Sequence, residues 1–96
     1  SGTHTYQSGV TYAVTNLMQL IGLAATPIIM LSSSSGSHAY LNLSAGATQT
    51  NGYVNATDID SSGGLTIFDW QGVLSNTVNW NLLEPPKTMA ATFVMF

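Results

Sequence analysis

The chain is written in short stretches of alternating apolar and polar residues, separated by small polar ones. Val10, Tyr12 and Val14 alternate with Thr11 and Ala13, the two-residue period of a strand with one face buried. Residues 3–7 share the Thr and Tyr content, and Ser8-Gly9 between the two segments predicts a hairpin or one longer bent strand. In residues 38–43, Ala39, Leu41 and Leu43 oppose His38, Tyr40 and Asn42. Residues 48–56 centre on Asn51-Gly52, a pair that tolerates positive φ at both positions and so predicts a type I′ hairpin. Segments 65–68 and 73–80 add further strands, and Pro85-Pro86 breaks the pattern. Residues 88–96 then alternate Met89, Ala91, Phe93 and Met95 against Ala90, Thr92, Val94 and Phe96.

One stretch follows a different period. Leu17, Leu20, Ile21 and Ala24 fall on one helical face, with Asn16 as a cap and Pro27 as a stop, so residues 17–25 predict a short helix. Residues 28–31 continue as a strand, and the Ser-rich 32–37 as a loop. Six to eight short strands at about 8–12-residue spacing, with at most one short helix, predict a single all-β domain over residues 1–96. A small β-sandwich or barrel is the expected architecture. No repeat of about 20–50 residues is visible, so a solenoid is not expected.

Charge changes this picture most. Only five of 96 residues are charged, namely Asp58, Asp60, Asp69, Glu84 and Lys87, against about a quarter in an ordinary domain. A neutral surface of Ser, Thr, Asn, Gln and Gly repels neighbours weakly and suits a fixed assembly or a secreted protein. With one Lys and no Arg, nucleic-acid binding by phosphate neutralisation is excluded. The apolar stretch 17–31 falls short of the ~20 residues of a membrane span. It is interrupted by Gln19, Gly22, Thr26 and Pro27 and has no basic flank, which also excludes a signal peptide. Cysteine is absent, so neither disulfides nor thiol chemistry enter. The chain opens on Ser1, consistent with processing or excision from a longer product.

Candidate chemistry concentrates in residues 58–69, Asp-Ile-Asp-Ser-Ser-Gly-Gly-Leu-Thr-Ile-Phe-Asp. This run resembles the twelve-residue calcium loop of EF-hands, and more closely the dockerin variant that ends in Asp. The resemblance implies oxygen ligands from Asp58, Asp60, Ser62, the Gly64 carbonyl, Thr66 and Asp69, with Gly63 at the sharp turn and Leu65 as apolar anchor. The loop carries three carboxylates, and no helix is predicted before it. The same composition also makes an ordinary β-turn, in which Asp bonds to its own backbone. Calcium is therefore the one cofactor the chain offers, and no other is implied.

His4 and His38 are the only histidines, too few for a zinc site without borrowed carboxylates. No motif unites a nucleophile, a base and an oxyanion donor, so the chain is expected not to be an enzyme. Trp70, Trp80, Tyr6, Tyr12, Tyr40 and Tyr53 supply either a sugar-stacking platform or core packing. Asn42-Leu43-Ser44 and Asn55-Ala56-Thr57 fit the N-glycosylation pattern. The apolar, uncharged segment 88–96 is expected to lie in the sheet or against another subunit.

These features predict a structural subunit of a repeated assembly, with other protein subunits as partners in a homo-oligomer or a capsid or filament lattice. A virion protein, as capsid decoration or minor capsid component, is the favoured setting. An extracellular filament subunit, or a secreted module binding calcium or carbohydrate, are the alternatives.

Overall fold

In the computed structural model, which describes residues 2–84, every regular element is a strand. In chain order these are β1 (Gly2–Tyr6), β2 (Thr11–Val14), β3 (Leu17–Ile21), β4 (Ile28–Ser32), β5 (Ala39–Leu43) and β6 (Thr48–Gly52). They continue as β7 (Val54–Thr57), β8 (Ile59–Asp60), β9 (Ile67–Trp70), β10 (Val73–Ser75) and β11 (Trp80–Leu83). The all-β class is as expected, with eleven short strands among the described residues rather than six to eight.

All the pairings are parallel. The strands form three sheets, β1-β4-β7-β10, β2-β5-β8 and β11-β9-β6-β3. The second sheet is extended by a single parallel bridge from Asp60 to Val78. The chain thus visits the three sheets in fixed order and lays each new strand beside its own earlier one. That path is a coil, a three-faced parallel β-helix whose turns stack at the usual strand spacing of about 4.8 Å.

Three local expectations are corrected by this path. Ser8-Gly9 joins neither a hairpin nor one bent strand, since β1 and β2 belong to different sheets. Residues 17–21 of the expected helix form β3, with Met18 buried while Leu17 and Ile21 are 53% and 52% exposed. The helical pattern counted those two as core, whereas they point away from it. The Asn51-Gly52 hairpin is replaced by the end of β6, which pairs in parallel with β3 and β9. The left-handed residue that turns the chain there is Tyr53, at φ 52°.

The solenoid that the missing repeat argued against is present, because the repeat has no constant length. In the first sheet Gly2 and Ile28 are partners, then Ile28 and Val54, steps of 26 residues each, but the Asn55–Val73 step is 18. In the third sheet Leu17–Thr48 spans 31 residues, Gly52–Trp70 18, and Ile67–Trp80 13. Corner loops of unequal length absorb the difference, so self-similarity at a fixed period never arises.

The core lies inside the coil. Alternate residues of each inner strand face it, as in β7, where Val54 and Ala56 are fully buried between half-buried Asn55 and Thr57. Ile28, Met30, Leu41, Leu43, Ile59 and Ile67 fill the rest, each worth about 1.5–3 kcal/mol when fully buried. Pro85-Pro86, Lys87 and the expected strand 88–96 lie outside the described residues.

Candidate functional site

The expected calcium loop runs from the corner between β7 and β8 to the end of β9, and its acidic side chains go to separate places. Asp58 adopts φ 60° at the corner. Its Oδ1 accepts from Asn76 Nδ2 at 2.7 Å and its Oδ2 from the Gly36 N–H at 2.9 Å. The bonds from Asn76 and Gly36, with the nearby His38 charge, outweigh burial and hold this carboxyl below its ordinary range. Asp60 Oδ1 accepts from the Ser62 N–H at 2.8 Å, a local Asx turn. Asp69 points into the core from β9 and is fully buried, with Oδ1 accepting from the Val54 N–H at 3.1 Å.

Two of the remaining implied ligands, the Gly64 carbonyl and Thr66, are already engaged by one side chain, Asn79, from the next turn of the coil. Its Nδ2 donates to the carbonyls of Ser61 at 3.0 Å and Gly64 at 3.1 Å, while its Oδ1 accepts from Thr66 Oγ1 at 2.8 Å. Asn79 sits at φ 63°, which aims the amide back over the loop. It therefore engages two of the groups that the resemblance implies as ligands, the Gly64 carbonyl and the Thr66 hydroxyl. Ser62 is exposed, and among the described residues no three His, Asp or Glu side chains group closely enough to hold a metal ion. Asn79 was absent from the expected site; the only trace of it in the sequence is an Asn suited to a left-handed corner.

Asp69 is the least comfortable polar group. Its Oδ2 has no hydrogen-bond partner among the described residues. Oδ2 and the Val54 carbonyl oxygen both crowd the point where a Gly72 Cβ would stand, so two acceptors face each other in the core. Burial raises the Asp69 pKa, opposed only by the Val54 N–H, and a proton on Oδ2 would turn one acceptor into a donor.

The aromatic residues are dispersed. Tyr6 and Tyr12 meet edge to face at 5.1 Å, and Trp80 Nε1 donates to Ser61 Oγ at 2.9 Å. Trp70 alone of the expected platform lies on the outer side of the third sheet, joined there by Phe68, which is not one of the expected platform residues. Trp70 and Phe68 are 40% and 39% exposed. His38 Nε2 is 2.9 Å from the Asn76 carbonyl oxygen, and His4 is exposed on β1.

Among the described residues two surfaces remain open. One is this outer side of the third sheet, where Leu17, Ile21, Phe68, Trp70 and Leu83 are exposed. The other is the edge of the first turn, since β1, β2 and β3 each stand last in their sheets. Those three strands hold no charged residue and no proline.

No family model, curated protein or solved structure matches this chain.

Proposed function

We infer that this chain is a structural, non-enzymatic part of a repeated assembly, in a virion or an extracellular filament, extended by further strands docking on its first turn. The observation that carries this reading is the uncharged edge of β1, β2 and β3. Exposed edges present unpaired N–H and C=O groups and are ordinarily guarded by Lys, Pro or bulges. Here the guard is missing on all three faces at once. Inside the same turn, Tyr6, Tyr12, Val14 and Leu20 are only partly buried, so an added turn would cover apolar surface as well as satisfy backbone. The near-absence of charge supports the reading from a second direction, since little electrostatic repulsion opposes close packing.

The test is to place like charges on the outward positions of the edge. Thr11→Lys, Ala13→Lys and Gln19→Lys alter exposed residues of β2 and β3 and leave the core intact. Sedimentation velocity of the 96-residue chain should show concentration-dependent association for the native sequence and a monomer for the triple variant. A native chain that stays monomeric across the concentration range, with no partner captured on this edge, overturns the reading.

A further inference from the structure

We propose that the outer face of the sheet formed by β3, β6, β9 and β11 binds a neutral polysaccharide strand, with Phe68 and Trp70 as its stacking platform. The two rings are two residues apart on β9 and therefore project from the same side. Each heads a row across the sheet. Trp70 is in register with Gly52 and Leu83, and Gly52 with Ile21. Phe68 is in register with Asn81, and Gln19 with Thr50 on the adjoining pair of strands.

Gly52 leaves the row beside Trp70 without a side chain. A Cβ built on it would stand 3.7 Å from Trp70 Cβ and 4.0 Å from Trp70 Cδ1, so the indole leans over a position without a side chain. Around the rings, Gln19, Thr50 and Asn81 are exposed. Their polar side-chain atoms, and the Trp70 indole N–H, make no hydrogen bond to another described residue. The face thus combines aromatic surface with unengaged amide and hydroxyl groups.

Charge and size select the occupant. The outward residues of these four strands are all uncharged, which fits a neutral ligand and gives a charged polymer no counter-ion. Four strands at about 4.8 Å and five residues at about 3.3 Å make a face of roughly 300 Å². A stable protein interface needs about 800 Å² per partner, so a second subunit would find too little here. An extended sugar chain needs only a narrow track, whose ring faces are apolar and stack on aromatic rings while its hydroxyls meet amides at the rim.

The proposal is tested by depletion of the 96-residue chain onto amorphous cellulose and onto chitin, at a concentration where the chain is monomeric. The native chain should be retained on at least one of them. Phe68→Ala and Trp70→Ala should each weaken retention by about tenfold or more, the equivalent of 1.4 kcal/mol. Trp70→Leu should lose it too, because apolar surface without a ring is insufficient. Leu23→Ala, exposed outside these rows, should retain it, and thermal melts with the Trp80 emission spectrum establish that each variant is folded. The Lys-substituted β2 variant carrying only Thr11→Lys and Ala13→Lys should still bind, which separates this face from the assembly edge. No retention of the native chain on either polymer overturns the proposal. So does full retention by Trp70→Leu, or dispersal of a self-associated chain by Trp70→Ala, which would give the face to a second copy.

Discussion

Asp58 and Asn76 occupy the same corner in successive turns of the coil, both left-handed at φ 60° and 53°, with the Asn76 amide donating to the Asp58 carboxylate at 2.7 Å. Their alignment follows from the parallel register of Thr57 with Ser75. Asn and Asp are the side chains that accept this backbone at least cost. The corner therefore satisfies conformation and hydrogen bonding with the same two residues.

Replacing Asn76 separates those two roles. Asn76→Gly keeps the backbone and loses the bond, whereas Asn76→Ala loses both, so melting temperatures should fall in the order native, Gly, Ala. The Asp58 pKa is lowered in the folded state. Its stabilisation is thus complete above the ordinary carboxylate pKa and disappears as pH falls through the folded value. Melts between neutral and strongly acid pH should show a shallower acid limb in both variants. An acid limb identical to the native one would mean that Asn76 does not hold the charge.

Asp69 has the opposite sign. Its folded pKa is raised by burial, so its cost is absent below the ordinary carboxylate pKa, grows as pH rises towards the folded value, and is complete above it. Asp69→Asn should stabilise the fold at pH 7 by on the order of 1 kcal/mol, the scale of an unsatisfied buried polar group. Denaturant titrations at pH 7 and pH 3 should show that gain shrinking in acid. A destabilised Asp69→Asn at pH 7 would assign the carboxylate a partner the described residues do not contain.

Two glycines should respond in opposite ways to alanine. A Cβ on Gly72 would collide with Asp69 Oδ2 and the Val54 carbonyl, both held in the core, while one on Gly52 meets only ordinary contacts at 3.7–4.0 Å. Gly72→Ala should cost about 3 kcal/mol or abolish folding, as overpacking at a rigid site does. Gly52→Ala should be neutral or gain about 0.4–1 kcal/mol through the unfolded chain. Equilibrium unfolding of the pair reads the contrast directly, and equal effects would contradict the packing around the β9–β10 corner.

The loop of residues 58–69 should be insensitive to calcium, because Asn79 already bonds Ser61, Gly64 and Thr66. Melts with millimolar calcium and with chelator should coincide, and Asn79→Ala should lower stability by about 2 kcal/mol through three lost bonds and a left-handed alanine. A drop in melting temperature on chelation would restore the metal reading.

The sequence exposed the strands more readily than their connections. Alternation in residues 10–14 and 38–43 marked β2 and β5, because inward and outward positions differ there in polarity. It failed at β3, where Leu17 and Ile21 are apolar on the open side, and a face that stays apolar looks like a helix stripe. Parallel pairing left no local mark, since each partner lies a full turn away. For the loop, the spacing of Asp58, Asp60, Ser62 and Thr66 was legible as oxygen-rich, but what meets Asp58 and Thr66 comes from Asn76 and Asn79, more than ten residues on in the chain. Phe68 and Trp70 show that exposure of an aromatic pair is decided by register, which composition does not contain.

The strands also shorten along the coil. The first turn offers five, four and five residues in β1, β2 and β3, while the last described turn offers three in β10, the lone Val78 bridge, and four in β11. Joining first turn to first turn would set the strands antiparallel against a body that is otherwise parallel. Anything built by continuing this ladder is consequently polar, with the first turn of every unit facing the same end. Such a fibre would add units by a heterologous, head-to-tail contact that never closes on itself, and its length would have to be set by something other than its own symmetry.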